Sequence, residues 1–163
     1  MRRLAFILIT LVTTLANASD LRPAYVVGAD EERKAGIDRP GRILVSTEDS
    51  GGEFVVVDSE SSQKYRTPLH THVDHHEALL VQTGRVKATV ENQTHTLGPG
   101  DFVFLPKGKP HRLEILEPGR AILVGSPGLD ESSARIFKAF ANRNGKSAEE
   151  VYEQLPDVEY VAD

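Results

Sequence analysis

Seven short apolar runs, separated by clusters of turn-forming residues, lie between residues 43 and 124. The runs cover residues 43–46, 54–58, 78–82, 85–91, 102–105, 113–116 and 121–124. Short apolar runs bounded by Gly, Pro, Asp and Asn predict β-strands, and several of them at regular spacing are typical of a sandwich or a barrel. None of these runs is long enough for a core helix. The sequence therefore predicts an all-β domain.

The pattern changes in the C-terminal tail, residues 129–163. Apolar residues recur at helical spacing over 134–141, and Asp130 or Ser132 is placed to cap that helix. Ser147 and Glu150 form the pattern of a capping box, which predicts a second short helix. We expect both helices to lie against the outside of the β-domain as a structural cover.

The N-terminus has the pattern of a secretory signal peptide. Arg2 and Arg3 precede a mostly apolar stretch over 4–15, and residues 16–18 provide the small-x-small site that signal peptidase accepts. An apolar stretch of this length is too short to span a bilayer as a helix. We therefore expect residues 1–18 to be removed by cleavage after Ala18, and the mature protein to be periplasmic or secreted.

Residues 19–41 form a mixed, charged N-terminal segment, for which the sequence predicts a loop with one strand around 25–27. The whole chain has a net charge of −5. Because an acidic chain offers no positive field to a phosphate backbone, nucleic acid is excluded as an expected partner. Cysteine is absent, which excludes disulfides and thiolate metal ligands. After cleavage of the signal peptide, no membrane partner is expected either.

All six histidines fall within a window of 42 residues. His70 and His72 are two residues apart on a segment that reads as extended, so both imidazoles face one side, about 6.6 Å apart at Cα. A turn over 73–76 lets Glu77 begin the next strand with its carboxylate facing the histidine pair. His111 begins a later strand, and a closed β-structure can bring two strand starts together. Three imidazoles and one carboxylate suit Fe, Mn, Ni, Cu or Zn.

The remaining histidines receive plainer interpretations. His75 and His76 lie on the predicted turn beside the site, where solvated side chains are expected in preference to contacts with the ligands or the substrate. His95 is interpreted as a surface strand residue. Seven apolar residues could line a ligand cavity, but most of them are expected simply in the core: Phe54, Val56, Leu79, Val81, Phe102, Phe104 and Leu113.

Period-two alternation also predicts walls for a pocket beside the histidines. If Glu77 faces inward, so do Leu79 and Val81. If His111 faces inward, so do Leu113 and Ile115.

Two stretches resemble the sequence motifs of the cupin superfamily. His70-Thr71-His72, four residues, Glu77, six residues and Gly84 resemble the first motif, and Gly100, five residues, Pro106, one residue, Gly108, two residues and His111 resemble the second. The sequences around these motifs resemble the small single-domain, quercetin dioxygenase-like cupins over 42–128, with a looser likeness in the tail. Lys64 and Ile115 depart from the pattern, which usually has glycine and asparagine at those positions, but neither position provides a ligand.

The resemblance implies a single cupin barrel, also called a jelly roll or double-stranded β-helix. It implies one divalent transition metal held by His70, His72, Glu77 and His111, and a homodimer that pairs through an N-terminal strand. The leading hypothesis is a metal-dependent, dioxygenase-like enzyme acting on a small aromatic or enolisable molecule and O₂, with Glu77 as a base. A non-oxidative lyase or isomerase and a non-catalytic module that binds a metal or small ligand stay open as alternatives.

Overall fold

The computed structural model describes residues 24–28 and 41–162. These two ranges contain ten strands and two helices. The strands are β1 (Gly41–Val45), β2 (Val55–Ser61), β3 (His70–His72), β4 (Glu77–Val81), β5 (Arg85–Val90), β6 (Gln93–Leu97), β7 (Phe102–Leu105), β8 (His111–Glu117), β9 (Gly119–Gly125) and β10 (Val158–Tyr160). The helices are α1 (Leu129–Ala141) and α2 (Ala148–Tyr152).

The strands form two five-stranded sheets, in which all the recorded strand pairs are antiparallel. The first sheet has the order β1-β2-β9-β4-β7 and the second has the order β10-β3-β8-β5-β6. Consecutive strands alternate between the sheets at several points, so the chain wraps a single interior between them. The architecture confirms the predicted all-β cupin barrel with short C-terminal helices.

The barrel interior holds the main apolar core. Side chains from both sheets meet there, among them Leu79 and Val81 of β4, Ala88 of β5 and Ile115 of β8. Burial of a side chain such as Leu79 or Val81 contributes about 1.5–3 kcal/mol relative to exposure. This core keeps the two sheets together and fixes which face of each strand points inward.

Three of the seven apolar residues expected in the core or along a cavity lie on the surface instead. Phe54, Phe102 and Phe104 are 46%, 59% and 52% exposed, respectively. On β7 the inward position is taken by Leu105, which is fully buried, so Phe102 and Phe104 point outward with Leu80 on the neighbouring strand. Alternation in the sequence shows that a strand has two faces, but a strand that is apolar on both faces gives no sign of which one is inner.

The tail forms both expected helices, with one difference in how they begin. Helix α1 starts directly after Gly128, whose φ is 100°, and no side chain caps it, so the prediction of Asp130 or Ser132 as its cap is wrong. Asp130 instead accepts hydrogen bonds from the amide and hydroxyl of Thr47, at 2.9 and 2.7 Å. The capping box of Ser147 and Glu150 at the start of α2 is confirmed.

Strands β6 and β10 lie outside the seven predicted apolar runs. Strand β6 is exposed at all but its last residue, and β10 has three residues. Strand β10 pairs with β3, which brings the end of the tail directly against His70 and His72.

Gly84 shows why the first motif requires a glycine at that position. Its φ is +80°, and a Cβ there would lie 2.6 Å from the carbonyl oxygen of Pro118. The tight turn between β4 and β5 thus excludes any side chain, both by backbone conformation and by lack of space.

Residues 24–28 form no strand, so the prediction of a strand around 25–27 is wrong. The hydroxyl of Tyr25 donates a hydrogen bond to the carbonyl of Leu44 at 2.6 Å. The predicted signal peptide, residues 1–18, lies outside the described residues, and so does most of the predicted N-terminal segment, residues 19–41. Within the part of the chain that is described, no helix is both long and apolar enough to cross a membrane.

Candidate metal centre

The four predicted ligands come from three strands that meet at one end of the barrel. His70 and His72 lie on β3, Glu77 is the first residue of β4, and His111 is the first residue of β8. His70 and His111 are direct partners across the β3–β8 pair. A bend after His72 interrupts the strand, as expected for residues 73–76, and turns the chain from one sheet into the other.

Three of these side chains form a compact cluster of nitrogen donors. One ring nitrogen each from His70, His72 and His111 lies within 4.8 Å of the other two, and all three side chains are buried. The carboxylate of Glu77 adjoins this cluster, with Oε2 at 3.3 Å from Nε2 of His72. The spacing suits donors that share one cation.

Hydrogen bonds to backbone carbonyls fix the tautomers of two of the rings. Nδ1 of His70 lies 2.9 Å from the carbonyl oxygen of Pro68, and Nδ1 of His111 lies 2.9 Å from that of Lys109. Since a carbonyl oxygen can only accept, each Nδ1 carries the proton and donates it, which leaves a lone pair on each Nε2. In metalloproteins the same arrangement orients a ligating imidazole.

Burial and mutual repulsion keep these imidazoles neutral. Loss of hydration lowers the pKa of His70 to about 3, and neighbouring His111 and His72 contribute to that lowering. The same loss of hydration lowers the pKa of His111. Metal ligation requires neutral imidazoles. The environment therefore favours the protonation state that a metal site needs.

Glu77 is held as a carboxylate. Burial acts to raise the pKa of Glu77, but the hydrogen bond from His72 and the nearby histidines outweigh it, and the pKa falls to about 2. A charged carboxylate beside imidazole nitrogens is a composition that divalent first-row metals prefer.

Two buried nitrogens of the cluster lack any partner within the described structure. Nε2 of His111 and Nδ1 of His72 are both buried and make no hydrogen bond there. Buried polar atoms are normally paired, and an unpaired one calls for an explanation such as an ion. For His111 the unpaired atom is also the one that carries the lone pair. The residues present thus fit a divalent metal.

His75 contradicts the expectation of a solvated turn residue. Its side chain is 0% exposed, Nδ1 lies 2.6 Å from Oδ1 of Asp74, and its ring lies 4.2 Å from that of His72 at an angle of 32°. Burial lowers the pKa of His75, an effect that outweighs the opposing influence of Asp74. A neutral fourth histidine therefore packs behind His72, and no motif spacing in the sequence marked it.

The other two histidines lie away from the cluster. His76 is half-buried rather than solvated: it stacks on Phe104 at 5.5 Å, and its Nδ1 accepts a hydrogen bond from the amide of Lys107. His95 is exposed on β6, as predicted.

A cavity of about 340 Å³ opens directly onto the cluster. The lining includes all four predicted ligands and three of the predicted wall residues, Leu79, Leu113 and Ile115. Val81 is not part of this lining and packs in the core instead. Apolar walls around a few convergent polar groups are typical of small-molecule sites.

The helical tail contributes to the site, which the sequence did not indicate. Tyr152 of α2 is buried, and its ring meets that of His70 edge-on, with 4.7 Å between centroids. Ile136 and Phe140 of α1 also line the cavity. The tail therefore packs against the end of the barrel that holds the histidine cluster. The sequence had predicted only a structural cover on the outside of the barrel.

A comparison with protein-family models matches residues 52–125 to the cupin domain. These residues form a cupin domain. The matched segment contains both halves of the candidate metal centre, from His70 to His111, so cupin membership and the site rest on the same residues.

Known proteins similar to this cupin have several different activities. It is 30% identical over 69 residues to quercetin 2,3-dioxygenase of Bacillus subtilis, a match that covers 42% of this chain but only 20% of that enzyme. The polyketide cyclase RemF of Streptomyces resistomycificus is 25% identical, with a TM-score of 0.51 over 64% of this chain and 80% of that one.

An RmlC-like cupin from Shewanella frigidimarina has the same fold, with a TM-score of 0.53 at 19% identity over 69% of this chain and 97% of that one. At this identity the likeness shows the fold alone. Because proteins of this fold differ in activity, the activity of this chain depends on its site rather than on its fold.

Proposed function

We propose that this cupin is a metal-dependent enzyme that acts on a small aromatic or enolisable molecule, with dioxygenase-like chemistry as the leading reaction class. The observation that carries the proposal is the convergence of three imidazoles beside Glu77 at the wall of a cavity. We assign His70, His72, Glu77 and His111 as the metal ligands. The similarity to a quercetin 2,3-dioxygenase supports the oxidative form of the proposal.

Each group has a defined part in the proposed chemistry. A bound Fe, Mn, Ni, Cu or Zn ion supplies Lewis acidity to oxygen atoms of the substrate. Glu77 holds a negative charge beside the site and accepts the proton that an enolisable substrate loses, once it turns away from His72. The apolar walls, including Leu79 and Leu113, exclude water from the reacting atoms.

A non-oxidative reaction is the second candidate. A structurally similar protein is named as a polyketide cyclase, and the same donor set stabilises an enolate without any oxidant. In this form of the proposal Glu77 and the three histidines keep their roles, and O₂ is not consumed.

Elemental analysis and oxygen uptake separate the candidates. The protein is purified anaerobically, its metal content is measured, and O₂ consumption is followed with flavonols, catechols and β-diketones. Stoichiometric Fe, Mn, Ni or Cu with O₂ uptake supports the dioxygenase, and substrate conversion without uptake supports the lyase or isomerase. Weak, exchangeable metal without conversion of any compound contradicts both and supports a non-catalytic binding module.

We also propose that the mature protein works outside the cytoplasm and forms a homodimer. The first part rests on the sequence pattern of residues 1–18. The second rests on the resemblance to small cupins, together with the exposed Phe102 and Phe104 on the outer face of the barrel.

A further inference from the structure

The cavity extends far beyond the metal end of the barrel. Its lining includes His111 at the start of β8 and Glu117 at the end of the same strand. Six residue steps at 3.4 Å correspond to roughly 20 Å along the strand. The space beside the histidines is therefore one end of an elongated chamber.

The middle of the chamber is mostly apolar, although Tyr65 and Thr67, which pair with this part of β8, also line it. Leu113 and Ile115 of β8 face Leu79 of β4 and Leu123 of β9 across it, and all four line the cavity. Alternation places these residues between the ligand level and the far end of each strand. This apolar belt provides no hydrogen-bond partner from its side chains.

The far end is polar. Glu117 and Arg120 line it, together with two serines at positions where the fold does not require polar side chains. Ser59 and Ser61 occupy inward positions of β2, where they line the cavity opposite Ala121 and Gly119 of β9. Inward positions of a barrel strand are normally filled by core side chains. Both serines are half-buried, and neither hydroxyl has a hydrogen-bond partner in the described parts of the chain.

The distance between the two polar ends follows from the strand register. Gly125 is opposite Glu77 at the ligand level, whereas Ala121 is opposite Ser59 on the neighbouring strand. Four residue steps separate Ala121 from Gly125, or roughly 14 Å along β9.

We propose that the chamber binds an elongated organic molecule with a pair of oxygen donors at one end, an apolar body, and a hydroxyl or carbonyl group at the other. This substrate class rests on the proposed metal site, since the oxygen donors bind at the histidine end. The apolar belt takes the body, and Ser59 and Ser61 hydrogen-bond to the far group. A compact substrate such as a short keto acid leaves the belt and both serines without a role.

A series of hydroxamic acids tests this arrangement before any substrate has been identified. The protein is loaded with Co²⁺, and its visible spectrum is titrated with straight-chain alkyl hydroxamic acids of two to ten carbons. We expect affinity to rise about fourfold per added methylene until the chain has crossed the belt. Affinity that does not change with chain length overturns the proposal.

The far end is tested with the same acids bearing a terminal hydroxyl group. At the length that reaches the serines, this hydroxyl is expected to raise affinity about two- to tenfold, as one net hydrogen bond does. The gain disappears in a Ser59→Ala/Ser61→Ala double variant and persists in Ser62→Ala, a control because Ser62 is exposed outside the cavity. An equal gain in the double variant overturns the role of the serines.

Two control measurements distinguish failure of the proposed substrate class from failure of the metal site. If Co²⁺ and acetohydroxamate bind but the longer acids bind no more tightly, only the elongated substrate is refuted. If the folded protein, checked by thermal melting, binds no Co²⁺ at all, the metal site itself is refuted and the substrate class falls with it.

Discussion

The ring of His75 lies against the ring of His72, with 4.2 Å between centroids and 32° between planes. Because His75 is completely buried and bonded to Asp74, it limits the orientations that His72 can adopt. A residue that holds a ligand in place affects metal affinity without touching the metal.

We therefore expect His75→Ala to weaken metal binding about 10- to 100-fold while the barrel stays folded. Competition with a chromophoric chelator measures the affinity, and circular dichroism confirms the fold. His95→Ala is the matched control, since His95 is exposed on β6. The same affinity in both variants would show that His75 only fills space.

For substitutions of the assigned ligands themselves, we expect larger losses of metal affinity. His70→Ala and His111→Ala each remove one nitrogen donor from the cluster, so we expect affinity to fall by more than about 100-fold, beyond the range of second-sphere changes. Metal content after dialysis measures the effect. His76→Ala serves as a control because His76 lies outside the cluster and stacks on Phe104. Full metal content in both ligand variants would refute the assignment.

The sequence predicted which side chains converge, because their convergence depends largely on local spacing. His70 and His72 share a face through strand alternation, and Glu77 and His111 each begin a strand, as expected. The parts that the sequence did not indicate depend on contacts between distant segments. Tyr152 reaches His70 only because α2 and β10 fold back onto β3, and no periodicity within the tail indicates that contact.

The same distinction between local spacing and contacts of distant segments applies to the burial of individual side chains. The burial of His75 depends on how the turn packs, so its polar neighbours in the sequence are misleading. Apolar character alone predicts Phe102 and Phe104 in the core, yet the register of β7 against β4 directs them outward. Alternation indicates the two faces correctly, but only the assembled sheets determine which face is inside.

Processing of the N-terminus gives a direct test of the signal peptide. We expect the mature protein, recovered from the periplasm or the medium of a bacterial host, to begin at Ser19, because residues 16–18 form the cleavage site. Intact-mass spectrometry and N-terminal sequencing measure this. An Ala16→Leu/Ala18→Leu variant is expected to accumulate uncleaved. A wild-type protein that retains Met1 and stays in the cytoplasm would contradict the localisation.

The exposed phenylalanines of β7 predict where two copies meet. Phe102, Phe104 and Leu80 are exposed apolar side chains on the outer face of β7 and β4, and an exposed apolar patch favours self-association. We expect a dimer by light scattering and a monomer for Phe102→Ser/Phe104→Ser. Val73→Ser is the control, since Val73 is exposed next to the other sheet. A monomeric wild type would refute the dimer.

Asp58 joins three strands of one sheet through two arginines. Its carboxylate on β2 accepts hydrogen bonds from Arg42 on β1 at 2.7 Å and from Arg120 on β9 at 2.5 Å, and the carboxylate is buried. Burial raises the pKa of Asp58, but the hydrogen bonds from Arg120 and Arg42 outweigh it and hold the pKa below its ordinary value.

This shift makes part of the stability depend on pH. A carboxyl group with a lowered folded-state pKa stabilises the fold above the unfolded-state pKa of about 3.9, and the contribution is lost as pH falls through the folded-state value. We expect Asp58→Asn to lower the free energy of unfolding at pH 7 by about 1–2 kcal/mol, less than for a fully buried pair because Arg120 is 47% exposed. Urea denaturation of both proteins between pH 7 and pH 3 measures this difference, which should shrink below pH 4. A difference that stays constant to pH 3 would show that the charge of Asp58 does not contribute to stability.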